Sequence, residues 1–367
     1  MRTTAAVLRE IGQPLTIEEV ELLAPGPREV RVRLAGSGVC HSDLHVVNGT
    51  IPHQLPMICG HEGAGVVEEL GPTVSGLAVG DHVVLAWVPS CGRCSYCLSG
   101  RANLCETTIG PSYRGHLWDD TSRFRGADGE PIGHHVMVSS FARDVVVPDG
   151  GAIPVPKDIP LTNLALIGCA VATGVNAAVR AGRVELGDSV AVIGTGGVGL
   201  NAIQGARLRG AGMIIAIDTS PFKLELAERF GASEAIRAGE GDVVAELMRL
   251  VPGGVDVAIE AVGRPETVGV ALRSVRRGGT CVVVGLAAPG TTVPVDLYHL
   301  LEDRRMVGAY YGSSNPRVDI PRLAALYRNG SLLIDELISR QIEQHEVNEA
   351  LASFDSGEVA RTLIRYA

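Results

Sequence analysis

The glycine cluster Gly194-Thr195-Gly196-Gly197-Val198-Gly199 lies between the apolar run Ser189-Val-Ala-Val-Ile193 and a stretch of helical periodicity from Val198 to Arg209. Few architectures accept that order. A buried strand, a tight glycine turn and a helix open a βαβ unit, and repeated units build a parallel sheet covered by helices on both faces. The rhythm continues through a strand at Met213–Ile217, a helix at Phe222–Phe230, a strand at Val255–Glu260, a helix near Glu266–Val275 and a strand at Thr280–Val284.

Within that frame the glycines have separate tasks. The first makes the turn, the second lets the backbone approach a pyrophosphate, and the third lets helix and strand pack closely. The helix N-terminus then offers N–H donors and positive potential to phosphate. Asp218 ends the next strand, where a carboxylate accepts hydrogen bonds from an adenosine ribose and repels a ribose phosphate. Thr219-Ser220-Pro221 supplies no compensating cation and Lys223 offers a further ribose contact. The pattern therefore favours NAD over NADP; the plainer alternative is an ordinary βα turn with Asp218 as a helix cap.

At 367 residues the chain exceeds what one core usually supports, so two domains are expected. From Ala5 to about Val147, short β-branched runs such as Val30–Leu34, Ala64–Glu68 and His82–Leu85 are broken by Gly and Pro, which predicts a β-rich, barrel-like domain. The texture becomes apolar and alanine-rich near Asp158. After the α/β region, a helix around Ile320–Arg328, an amphipathic segment around Val347–Phe354 and a strand at Arg361–Arg365 are expected to return to the first domain. Thr107–His135 reads as a long irregular connection that shapes a substrate entrance. A net charge of -9 is opposite in sign to that of a general phosphate-backbone binder, so nucleic acid is not an expected partner. Neither an N-terminal leader nor a membrane-spanning apolar run is evident, and the expectation is a soluble cytoplasmic protein without a membrane partner.

Half of the eight cysteines, Cys91, Cys94, Cys97 and Cys105, fall within fifteen residues. Four thiolates at turn spacing close a tetrahedron around zinc and leave no open position. Disulfides and an iron–sulfur cluster are the alternatives. Cys40, His61, Glu62 and Cys169 are dispersed, and Cys, His and Cys as ligands leave one vertex for a substrate. A lone histidine at the position of His61 would more often be structural; the company of Cys40 and Cys169 points to metal.

Taken together, these motifs resemble the zinc-dependent medium-chain alcohol dehydrogenases, including the branch that holds the glutathione-dependent formaldehyde dehydrogenases, and the likeness runs nearly end to end. It implies a GroES-like catalytic domain over residues 1–170 and 309–367, with a structural zinc lobe at about 91–105, and a Rossmann NAD-binding domain over 171–308. It further implies that Cys40, His61 and Cys169 hold a catalytic zinc, with Glu62 able to approach the metal, and that the four-cysteine lobe holds a structural one. Ser42 and His45 would form a proton relay, Asp43 would back His61, and Thr173, Val198 and Arg361 would touch the cofactor together with Gly194, Gly196, Gly197, Gly199, Asp218 and Lys223. His41 stands where many members carry an arginine for the cofactor phosphate. Ile51, Trp87, His135, Val136 and Tyr310 fall where the family lines its alcohol site, though His135 is as readily read as packing.

The implied activity is hydride transfer between a primary or aromatic alcohol, or its aldehyde, and NAD, in a homodimer or homotetramer. Two further readings stand beside it: oxidation of a glutathione–formaldehyde adduct or a nicotinoprotein that retains its cofactor, and, from another class, a non-catalytic nucleotide-binding protein.

Overall fold

The computed structural model describes residues 1–357 and 359–366. It divides into two compact units, the first formed by Met1–Ala170, Asn315–Asp355 and Arg361–Ala367, the second by Val171–Ser314 and Ser356–Ala360.

In the first unit, alternation of apolar and charged residues decides the sheets. Along the Glu29–Val39 strand, Val30, Val32 and Leu34 are buried, while Arg31 and Arg33 face outward and pair with Glu69 and Glu68 of the adjacent Glu62–Leu70 strand at 2.8 and 3.3 Å. Burying each such aliphatic side chain stabilises the fold by about 1.5–3 kcal/mol, whereas the exposed ion pairs add little. This strand lies between Glu62–Leu70 and Arg361–Arg365 in a larger sheet, and Asp144–Pro148 also pairs with it. A small closed barrel forms from Arg2–Leu8, Thr16–Leu22, Phe124–Arg125, Pro131–His134 and Met57–Ile58.

The second unit is an open sheet whose strands are all parallel, in the spatial order Glu234–Arg237, Met213–Asp218, Ser189–Ile193, Val255–Glu260, Val275–Val283 and Arg305–Gly308. Counted along the chain this is the order 3-2-1-4-5-6 of dinucleotide-binding sheets, whose switch point lies beside the first strand. Gly194 takes φ +86°, and a Cβ on Gly199 would overlap the Gly194 carbonyl, so the Gly197–Leu208 helix can pack this tightly only on glycine.

Two expectations need correction. Thr107–His135 is not irregular throughout: it takes in all but the first residue of the helix Glu106–Tyr113 and the paired strands Phe124–Arg125 and Pro131–His134. Fully buried Phe124 and Ile132 pin strands too short to display a period of two, and the Gly126 N–H donates to the Glu130 carbonyl at 2.9 Å to close the turn between them. The chain also returns to the first unit at Asn315 rather than at residue 309, because the Ala309 N–H donates to the Val283 carbonyl at 2.9 Å and Gly312 lies against the Thr173 backbone. No single helix among the described residues is long and apolar enough to cross a membrane.

Candidate active site

The Glu29–Val39 strand runs into Cys40, which caps the short helix His41–Val47. Asp43 closes this cap by accepting the Cys40 N–H on Oδ2 at 3.0 Å, so the carboxylate is fixed one turn into the helix. Its Oδ1 accepts the Gly60 N–H at 3.1 Å and lies 2.9 Å from His61 Nδ1. An ionised carboxylate can only accept, so His61 carries its proton on Nδ1 and leaves Nε2 free. Burial opposes ionisation of Asp43, yet His61 and His135 outweigh it and hold the carboxyl well below the usual range.

Cys40, His61, Glu62 and Cys169 are all buried, and one ligand atom from each lies within 4.8 Å of the others. Cys169, with Arg361 and His61, pulls the Cys40 thiol well below its ordinary pKa against the cost of burial. Burial pushes the Glu62 carboxyl up to about 7, opposed by Arg361. Glu62 Oε1 accepts the Ala170 N–H at 3.1 Å, whereas Oε2 is buried with no hydrogen-bond partner. A Cβ on Gly38 would overlap the Glu62 carboxylate, which explains a glycine in the middle of that strand. Two sulfurs, an imidazole and an orphaned carboxylate oxygen in a buried cluster suit a borderline-soft divalent ion.

A second cluster needs only one loop. Cys91 and Cys97 sulfurs are 4.0 Å apart, as are those of Cys94 and Cys105, and all four ligand atoms lie within 4.8 Å. A disulfide would need about 2.05 Å, while zinc–sulfur bonds of about 2.3 Å set tetrahedral edges of roughly 3.8 Å. Backbone N–H groups of Arg93 and Cys94 point at Cys91 Sγ at 3.5 and 3.4 Å, and that of Cys97 at Cys94 Sγ at 3.5 Å, as suits thiolate. Burial resists ionisation of the Cys91 thiol, but Thr107 and these backbone donors bring it down to about 6.

Ser42 Oγ lies 3.8 Å from Cys40 Sγ. His45, one turn further, has a buried Nδ1 without a hydrogen-bond partner and a ring centroid 4.9 Å from that of His41; burial and His41 lower its pKa. Ile51, Trp87, His135 and Val136 belong to the first unit and Tyr310 to the second. His135 Nδ1 is 3.2 Å from Asp43 Oδ1.

In the second unit, Asp218 Oδ2 accepts the Thr195 N–H at 2.8 Å and its hydroxyl at 3.2 Å, and Oδ1 accepts the Ser220 N–H at 3.0 Å. The carboxylate therefore braces the glycine loop, a task the sequence did not reveal. Thr173 Oγ1 is buried with no partner, and a Cβ on Gly196 would meet nothing within 4 Å. An orphaned hydroxyl and open space over the loop fit a bound dinucleotide. Arg361, expected on cofactor phosphate, lies within the first unit with Nη2 3.6 Å from Cys40 Sγ and Nε 3.6 Å from Glu62 Oε1. Strand pairing of Arg361–Arg365 with Glu29–Val39 puts it there, a long-range consequence no local motif announces.

Residues 26–157 match the family model described as alcohol dehydrogenase GroES-like domain, and residues 197–328 the one described as zinc-binding dehydrogenase. The class-3 alcohol dehydrogenase of Cereibacter sphaeroides is 37% identical over 374 residues, covering 99% of this chain and 100% of that protein. The S-(hydroxymethyl)glutathione dehydrogenase of Paracoccus denitrificans is 36% identical over 375 residues, covering 100% of both. Among solved structures, benzyl alcohol dehydrogenase from Acinetobacter calcoaceticus superposes with a TM-score of 0.93 at 32% identity, covering 100% of each chain. With both halves matched and relatives aligned over their whole length, the chain belongs to the zinc-dependent medium-chain alcohol dehydrogenases, a family of oxidoreductases, in the branch of the class-3 enzymes.

Proposed function

We propose that the protein is an NAD-dependent zinc alcohol dehydrogenase that transfers a hydride between a primary or aromatic alcohol, or its aldehyde, and NAD, with two zinc ions per subunit. The observation that carries this reading is the buried convergence of Cys40, His61, Glu62 and Cys169 within 4.8 Å. Cys40, His61 and Cys169 would hold the catalytic ion, with Glu62 beside it, and Cys91, Cys94, Cys97 and Cys105 the structural one. When bound, zinc supplies Lewis acidity to an alcohol oxygen and NAD accepts the hydride.

The chain's own residues supply the rest. Asp43 keeps the proton on His61 Nδ1 and orients the ring. Ser42 Oγ takes the alcohol proton as it gives up its own, and His45, whose pKa burial and His41 lower, accepts the released proton and passes it to water. Thr173, Gly194, Gly196, Gly197, Val198, Gly199, Lys223 and His41 serve the cofactor, and Arg361 its phosphate. Asp218 retains one of its roughly four lone-pair sites for the ribose, and Asp218→Gly relaxes the preference for NAD over NADP in steady-state kinetics. Ile51, Trp87, His135, Val136 and Tyr310 face the substrate.

A homodimer or homotetramer fits the exposed Leu297, Tyr298 and Leu301 beside the edge strand Arg305–Gly308. Eight free cysteines suit the reducing cytoplasm.

The test is a panel of alcohols and aldehydes followed by NADH absorbance, with zinc and retained nucleotide quantified in the same preparation. The Paracoccus relative motivates one second arm, glutathione with formaldehyde: NADH formation there alone would replace the simple-alcohol reading with the adduct. No hydride transfer to any substrate at a full zinc complement would overturn the proposal.

A further inference from the structure

We infer that His135 is a positioning residue for the metal-binding histidine: it shares the Asp43 carboxylate with His61 and thereby sets how firmly that carboxylate holds His61. The inference rests on the reading of His61 as a metal ligand. Asp43 Oδ1 is approached by His61 Nδ1 at 2.9 Å and by His135 Nδ1 at 3.2 Å, and the two rings lie 5.2 Å apart at 78°. His135 is 4% exposed, and its Nδ1 makes no aligned hydrogen bond with any described group, so the nearby carboxylate oxygen is where a small rotation would satisfy it. Its neighbour His134 differs: there Nε2 accepts the Arg123 N–H at 3.2 Å, a role within the core.

The backbone that delivers the His135 ring is strained. Val136, Met137 and Ser139 take φ of +43°, +62° and +57°, a left-handed conformation that costs energy for residues with a Cβ. The turn is fastened to the segment that leads into His61. Ser139 Oγ donates to the Ile58 carbonyl at 3.0 Å, the Ser140 N–H to the Gly60 carbonyl at 3.0 Å and the Phe141 N–H to the Cys59 carbonyl at 3.0 Å, while the His135 N–H donates to Ser139 Oγ at 3.1 Å. Bulk alone at this position needs neither the strain nor the fastening.

The chemical consequence follows from sharing. Asp43 already accepts N–H groups from Cys40 and Gly60. A further donor on Oδ1 withdraws charge from the carboxylate, weakens its pull on the His61 proton and leaves the imidazole a poorer donor to metal. His135 thus keeps the ion more electrophilic and more readily exchanged.

Zinc release from the holoenzyme to a chromophoric chelator tests this, read on the kinetic phase that His61→Ala removes. If His61→Ala removes no phase, the metal reading itself fails, and His135 is not the reason. Outer contacts to metal ligands typically shift affinity 10–100-fold, so His135→Phe slows that phase about 10-fold, while His135→Asn, which keeps a donor, stays within about 2-fold of the parent. Release from the four-cysteine lobe is unchanged in both. Equal effects of Phe and Asn, or no effect of Phe, overturn the inference; His135→Leu replaces Phe should the larger ring prevent folding.

Discussion

The two metal-capable clusters use similar atoms in opposite ways. The Cys91–Cys105 lobe draws every thiolate from one loop, with backbone N–H groups of the same loop pointed at sulfur. The Cys40–His61–Cys169 cluster draws each ligand from a different element, joined by Asp43, Glu62 and Arg361. A contiguous loop can fold around an ion with little help, and the ion then supplies its stability. A dispersed cluster needs the fold first, and so can afford an ion with an open vertex.

The largest effect expected from this contrast is on the lobe. Cys97→Ala removes a structural zinc contribution on the order of 10 kcal/mol, so thermal unfolding shifts far downward; an unchanged midpoint would erase the difference between the clusters. Next, His61→Ala lowers turnover at least about 1,000-fold, the rate equivalent of several kcal/mol of charge stabilisation. Zinc per chain falls from two to one while the midpoint moves much less than in Cys97→Ala. Ser42→Ala lowers turnover by about 100-fold, with both zinc ions retained in elemental analysis, which separates proton movement from metal binding.

The most gradual effect concerns His134, the buried neighbour of His135. Burial, with Arg123, lowers the His134 pKa to about 3, below its ordinary value of about 6.5. The folded state therefore binds fewer protons than the unfolded one between these values. Stability from neutral His134 is fully present above about pH 6.5 and is lost as pH falls toward 3, by at most about 1.4 kcal/mol per pH unit. Denaturant titrations across that window show the slope, and His134→Gln flattens it; an identical slope in the variant assigns acid sensitivity elsewhere.

Local pattern made much of the second unit legible. Val255–Glu260 is a strand because an apolar run of that length is buried on both faces, and the glycine turn reads directly because Gly194 takes a left-handed φ and Gly199 lies against the Gly194 carbonyl, both local steric demands. The barrel strands Phe124–Arg125 and Pro131–His134 were not legible, since two to four residues carry no period and pairing partners decide them. Within the site, spacing alone marks Cys91, Cys94, Cys97 and Cys105. By contrast, nothing near Arg361 in sequence places it on Cys40 and Glu62, and nothing near His135 places it on Asp43.

Residue order by itself determined the chemistry available to this chain: which side chains can ligate, which turn can approach a phosphate, and which segments alternate. Those properties depend on neighbours a few bonds away. Tertiary structure alone decided which distant groups share one oxygen or one buried space, because strand pairing between positions such as Val39 and Thr362 sets distances that no local rule contains. Asp43 shows the division: its carboxylate and its place in the first turn of a helix are local facts, while the two histidines that meet it are products of the folded chain.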